Sequence, residues 1–356
     1  MAKFSNKVNR RTACAALAGA GLSFLLPART LLGEQWTCKV IAIDGETDAK
    51  RPPVVSAVAL NPQGKFMAIA GDDHRIRILD IATGSALKHR AAHGDWVRSL
   101  SYSPDGKTLA SAGNDGRIVL WNADTAEEVT ELASLSHPIS TVTFGPSGQS
   151  LAATGFDDEV RVFDIGQRKE TSRLRCPSPD MRALAYSPDE RYLASGGRNG
   201  VVRVWDVKTA KVAQESQSHR RRVRGIAFSP DSRTIASCGE DGRIRLQSLL
   251  GQADITIESP GTKVMSLCYC GAQHLATGGS DNLIRIWDVV KQSKVSELSG
   301  HTGSVVTLAF SGSVLVSAGY DTTVRVWRTA SNLVNGSGGQ ADRVGSRWEP
   351  RNRTPQ

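Results

Sequence analysis

A turn built on Asp or Asn recurs seven times at nearly constant spacing, at Asp73, Asp115, Asp157, Asn199, Asp241, Asp281 and Asp321. The first four intervals are 42 residues and the last two are 40. A sustained period of about 40–45 residues is the signature of a repeat architecture, in which each copy is one supersecondary unit that must stack on its neighbours. The flanking residues repeat as well. Gly279-Ser280-Asp281-Asn282-Leu283-Ile284-Arg285-Ile286-Trp287-Asp288 has a counterpart in every copy, and Ser103-Pro104-Asp105-Gly106 marks an earlier turn.

One copy reads as four short antiparallel strands. In the second, Val97–Tyr102 alternates in the manner of a half-buried strand. Pro104 and Gly106 supply the fixed and positive φ values of a tight turn. Thr108–Ala112, Arg117–Trp121 and Glu128–Leu132 follow as further strands, separated by Gly/Asn/Asp turns. Such a sheet has two apolar faces and cannot bury both alone. Seven sheets stacked radially close a ring and leave only short, protected edges. The 34 glycines fit a chain of many short strands and tight turns.

The copies resemble WD40 repeats, and the chain resembles an all-β, seven-bladed WD40 β-propeller. The residues that carry the resemblance are a loop His, Ser-Pro-Asp-Gly, the turn Asp, and Trp-Asp closing the third strand at Trp205-Asp206 and Trp287-Asp288. That last pair degenerates to Trp121-Asn122, Phe163-Asp164, Leu79-Asp80, Trp327-Arg328 and Gln247-Ser248. The resemblance implies a buried hydrogen-bonded tetrad in each blade. It is complete in copy two (His93, Ser111, Asp115, Trp121) and copy seven (His301, Ser317, Asp321, Trp327). Copy five has His219, Ser237 and Asp241 with Gln247 in the Trp place; copy six has Thr277, Asp281 and Trp287. Copy four has Ser195, Asn199 and Trp205; copy three keeps His137 and Asp157 beside Ala153 and Phe163; copy one keeps Asp73 beside Ile69 and Leu79. Ser, His and Asp therefore recur as fold-pinning groups, and they are no evidence of a protease, which needs an exposed nucleophile and a pocket.

The seventh copy ends after its third strand. Lys39–Ile43, a β-rich run ahead of the first copy, is expected to supply the missing outer strand and to tie the ring shut. The propeller then spans residues 36–330, with copies beginning near 51, 93, 137, 177, 219, 261 and 301. Residues 331–356 are Gly/Ser-rich and then basic, and read as a disordered tail.

Residues 1–33 hold no Asp or Glu, and Arg10-Arg11 precede an uncharged run from Thr12 to Leu26. That is the layout expected of an export signal, with a start resembling a twin-arginine leader and cleavage expected around Pro27-Ala28. It places the mature chain outside the cytoplasm, in the periplasm, without a transmembrane span. An organelle leader and an uncleaved tail on a cytoplasmic protein are the alternatives. The six cysteines include no CxxC pair, so zinc and thioredoxin-like readings fail. Cys268 and Cys270 read as small apolar strand residues.

No phosphate-binding loop, nucleophile elbow or metalloprotease motif is present, and no catalytic residue, metal or cofactor is expected. The resemblance implies that the loops entering each first strand and the turns before each turn Asp face one rim, and the functional residues are expected there. There lie Trp96, Arg98, Phe156, Arg182, Arg198, Arg220, Arg221, Arg222, Arg224, Lys263 and Tyr320, with Glu240 opposing the arginines. Arg, Trp and Tyr are the types enriched at interface hot spots. The net charge of +9 favours acidic partners. The reading is a non-catalytic scaffold, a monomer, that binds a protein or peptide carrying an acidic segment in preference to nucleic acid. The alternative is an extracytoplasmic enzyme or small-ligand-binding propeller with its site in the central channel. Arg77, Arg161, Arg203, Arg245, Arg285 and Arg325 recur in step with the fold and read as blade-packing residues.

The export reading predicts a mature N-terminus near residue 28 and recovery in the periplasmic fraction. Mass spectrometry of the intact chain checks it, and a full-length cytoplasmic product rejects it.

Overall fold

The structure is a computed structural model that describes residues 25–27, 36–43, 52–176, 178–259 and 261–329. The readings of a leader over 1–33 and a tail over 331–356 lie outside these residues, apart from Leu25–Pro27.

Seven antiparallel sheets follow one another along the chain; six have their strands in consecutive order, and the seventh joins strands from the two ends of the chain. The inner strands are Val55–Leu60, Val97–Tyr102, Ile139–Phe144, Met181–Tyr186, Val223–Phe228, Val264–Tyr269 and Val305–Ser311. They stand side by side around a central channel, and Val305–Ser311 packs against Val55–Leu60 to complete the circle. Hydroxyls knit the wall: Ser56 Oγ donates to the Val97 carbonyl at 2.5 Å, and Ser99 Oγ accepts from the Val142 N–H at 3.0 Å.

The apolar core is divided among the joints between blades. Seven buried clusters each draw on two successive blades. The joint between blades two and three, for example, sets Ile118 and Leu120 against Ile139, Leu151 and Phe163. The second strands, such as Thr108–Gly113 and Leu151 with its neighbours, are buried on both faces and carry small residues at alternate positions. The fourth strands of blades one to five are largely exposed, most completely Ala86–Ala91 in blade one.

The turn after each second strand is the element that recurs most strictly. The residue following the turn Asp or Asn takes a positive φ in six of the seven blades: Gly116, Gly200 and Gly242 at 77–79°, and His74, Asn282 and Thr322 at 61–70°. A Cβ on Gly116 would sit 2.1 Å from the Leu135 carbonyl, so that copy admits only glycine.

Blade seven closes as expected in kind, with different limits. The closing strand is Trp36–Ala42, three residues earlier in onset than Lys39–Ile43, and pairs antiparallel with Thr323–Thr329 from Trp36↔Thr329 to Ala42↔Thr323. The signal missed was Trp36 and Cys38. They alternate with Thr37 and enter the apolar joint with blade six, whereas Ile41 and Ile43 enter the joint with blade one. A further strand, Leu25–Pro27, pairs outside it through Leu25↔Lys39, so blade seven has five strands and ordered pairing begins before Trp36.

Trp36 is 2% exposed. Trp36→Ala is expected to cost about 3–5 kcal/mol, the usual range for a buried aromatic. Deletion of residues 36–43 should abolish a cooperative melt. An unchanged thermal midpoint in either variant would reject this closure.

Candidate functional site

Two layers of polar side chains face the same end of the ring, one inside the blades and one at the channel mouth.

The inner layer is the tetrad. In blade two, Trp121 Nε1–H donates to Ser111 Oγ at 2.8 Å, Ser111 Oγ lies 2.7 Å from His93 Nε2, and His93 Nδ1 lies 2.9 Å from Asp115. Ser111 accepts from Trp121 and so donates to Nε2, which leaves the proton on Nδ1 to bond Asp115. Blade seven repeats the set, with Trp327–Ser317 at 2.8 Å, Ser317–His301 at 2.7 Å and His301–Asp321 at 2.8 Å. The serines are fully buried, so none is a nucleophile open to substrate. Each such bond contributes about 1 kcal/mol net.

The incomplete blades find other partners. In blade five, His219 keeps Ser237 and Asp241 at 2.9 and 3.0 Å, while Gln247 turns to Ser218, Ser216 and Asp254. In blade four, the Cys176 thiol lies 3.7 Å from Ser195 Oγ. In blade six, Trp287 donates to Thr277 at 2.8 Å. Three turn aspartates are held by the arginine four residues on: Asp73 by Arg77 at 2.5 Å, Asp157 by Arg161 at 2.8 Å and Asp281 by Arg285 at 2.5 Å. His137 shares Asp157 at 3.0 Å, and blades one and six have no loop His. Arg203, Arg245 and Arg325 bond Glu215, Thr256 and the Gly300 carbonyl. All six recurrent arginines thus serve the ring.

The outer layer is the channel mouth. The channel encloses about 270 Å³ and is walled by all seven inner strands. Its wall includes the second residue of each: Arg98, Arg182 and Arg224 from blades two, four and five, and Ser56, Ser140, Met265 and Val306 from the others. The structure therefore separates residues that the sequence grouped on one rim. Arg98 and Arg182 lie at the mouth, stacked on Trp96 and Phe156 with guanidinium-to-ring distances of 4.6 and 4.3 Å. Arg182 pairs with Asp180 at 2.6 Å, and Arg222 reaches the same carboxylate at 2.7 Å and Glu240 at 3.4 Å. Glu240 also holds Arg224 and has Lys263 at 3.8 Å. Asp180 is the member of this group that the sequence pattern did not single out; an Asp two residues before a channel Arg is the available signal.

Burial depresses the pKa of Arg98, with repulsion from Arg182 adding to it; burial also depresses that of Arg182, against the pull of Asp180 and with repulsion from Arg222 and Arg224 adding to it. Glu240 is held low by Arg224, Lys263 and Arg222, although burial works the other way. Outside this ring of pairs, Arg198, Arg220 and Arg221 are exposed and make no ion pair among the described residues. Phe156 is 39% and Tyr320 52% exposed.

Among the described residues no three His, Cys, Asp or Glu side chains converge as a metal site. The five described cysteines are free thiols; Cys238 and Cys270 are fully buried, and burial drives both above the ordinary thiol range. No described helix is long and apolar enough to cross a membrane.

A stacked ring of WD-type blades with tetrads at one end defines a β-propeller repeat protein. The family model described as IFT122 first beta-propeller matches residues 54–271, more than half of the chain, and the chain belongs to that WD-repeat propeller family. The model described as WD domain, G-beta repeat, matches residues 292–328. This second match begins at the outer strand of blade six, Ser293–Leu298, and ends in the third strand of blade seven, so the sequence repeat runs one strand out of phase with the blade. No curated protein matches the chain.

Burial lowers the pKa of His93 and His219 from 6.5, against the pull of Asp115 and Asp241. The unfolded chain therefore binds these protons first as pH falls through about 6.5, and stability drops below that value. Asp321 acts in a separate window: burial alone would raise it, but His301, the Thr302 N–H and Thr323 hold it at about 2 against 3.8. Its contribution is present above about pH 4 and lost as pH approaches 2. The thermal midpoint should fall between about pH 7.5 and about pH 5.5, and fall less in His219→Gln. An equal fall in both proteins would remove His219 as the cause.

Proposed function

We propose that the chain is a non-catalytic interaction scaffold that docks a protein or peptide with an acidic segment on the end of the ring carrying the channel mouth. The observation that supports this most is the exposed set on that face. Phe156 and Tyr320 are large aromatic side chains turned to solvent, and Arg198, Arg220 and Arg221 lack carboxylate partners among the described residues. Exposed aromatics beside unpaired guanidiniums combine apolar contact area with charge steering, the composition of an interface centre with a charged rim. Membership of a WD-repeat family is compatible with the reading. Trp96 belongs to the same surface, half-buried under Arg98.

The export reading of residues 1–33 directs the search to partners outside the cytoplasm. Arg222 and Arg224 are poor test positions, because they hold Asp180 and Glu240 and their loss would disturb the loops. Arg220→Glu/Arg221→Glu leaves those pairs intact. Binding of a purified partner should weaken at least tenfold in this variant, chiefly through slower association. It should weaken roughly thirty-fold in Trp96→Ala, the size of a hot-spot loss of about 2 kcal/mol. Unchanged affinity in both variants would overturn the docking face.

A further inference from the structure

We infer that the mouth of the central channel is a socket for a phosphoryl group, held between Arg98 on blade two and Arg182 and Arg224 on blades four and five. The inference rests on the reading of this end of the ring as the binding face, and names the chemistry that its centre would take.

Five cations line or border the channel: Arg98, Arg182 and Arg224 on its wall, with Arg222 and Lys263 beside them. The last four in chain order share two carboxylates, Asp180 and Glu240, and Arg98 has neither. Asp95 reaches Arg98 only through its field. Like charges held together in a half-buried site repel, and a closed ring of blades gives them no freedom to separate. An anion between them removes the conflict.

Arg98 is the group left most in need of one. Its Nε donates to the neutral amide of Asn114 at 2.8 Å and one face lies on Trp96. Its terminal nitrogens have no hydrogen-bond partner among the described residues, unlike those of Arg222 and Arg224. Asn114 and Trp96 fix the orientation of the fork while leaving its outer edge open. Phe156 does the same for Arg182, whose Nε is taken by Asp180. Two guanidiniums are thus oriented in advance, with their donor edges unspent. Ser140, between them on blade three, also lines the channel, and its buried hydroxyl has no partner among the described residues.

The shape of the site selects among anions. A carboxylate offers two oxygens in one plane, enough for one guanidinium fork. A phosphoryl dianion offers three oxygens pointing in different directions and twice the charge, which suits donors arriving from separate blades. The channel volume of about 270 Å³ admits a phosphoryl group and the first atoms that carry it. It lies just below the range of about 300–1,000 Å³ usual for drug-sized ligands. The phosphoryl group can come from a free phosphate ester or from a phosphorylated side chain of a docked partner, and the recognition chemistry is the same.

Calorimetric titration of the full chain at constant ionic strength tests this. The probes are phenyl phosphate, a phosphoserine peptide, the same peptide with Ser, and the same peptide with Glu. Saturable one-to-one binding of phenyl phosphate is expected, weakened at least tenfold in Arg98→Gln and unchanged in Arg233→Gln, an exposed arginine in a turn away from the mouth. Arg98 carries no ion pair, so Arg98→Gln should melt like the parent; Arg182→Gln, which gives up Asp180, serves as the second variant and is read beside its melt. Tighter binding of the phosphoserine peptide than of phenyl phosphate would identify a protein side chain as the source; equal binding would identify a free ester. Absence of saturable binding, undiminished binding in Arg98→Gln, or equal affinity for the Glu peptide overturns the socket. Because phenyl phosphate involves no protein partner, the socket can fail while docking on Trp96, Arg220 and Arg221 survives, and the reverse holds as well.

Discussion

Each blade is a sheet with two apolar faces, and neither can be left to water. The remedy is a neighbour on each side, and for seven blades in sequence the only arrangement that gives every blade two neighbours is a closed circle. The core is accordingly a set of seven joints, each built from two blades, with no centre of its own. What remains at the centre is a channel walled by the inner strands, with arginines on blades two, four and five.

Closure places the heaviest demand on one strand. Trp36–Ala42 completes blade seven by pairing with Thr323–Thr329, and it contributes to two joints at once. Trp36 and Cys38 fill the joint with blade six, and Ile41 and Ile43 fill the joint with blade one. The two ends of the propeller are thereby held by the same residues that keep its first and last blades dry. Inside the blades, the turn Asp is the fixed point and its partner is exchangeable. A neutral histidine or an arginine four residues on can satisfy it, which is why degenerate copies keep the turn although they lose the tetrad.

Much of this was legible in the residues. The period, the turn glycines such as Gly116, the complete tetrads of blades two and seven, and the existence of a closing strand all follow from local pattern, because each is set by residues close in sequence or by strict recurrence. The limits of the closing strand were not, since Trp36 and Cys38 are explained only by a joint with blade six, over two hundred residues away. The pairing of Asp73 with Arg77 was equally hidden: the recurrence of the arginines marked them as structural, but not what they replaced.

The sequence by itself determined the number of blades, the strand order within them and the aromatic and basic character of one rim. The tertiary structure decided which of those basic residues belong together. Arg220, Arg221, Arg222 and Arg224 are neighbours in the chain, yet two reach into solvent while two are tied to Glu240 at the channel. Arg98 and Arg182, far apart in sequence, line the same channel. The physical reason is the ring itself: the same position on seven inner strands is carried to one small circle, and only there does a residue recurring every 42 positions become a neighbour of its counterparts.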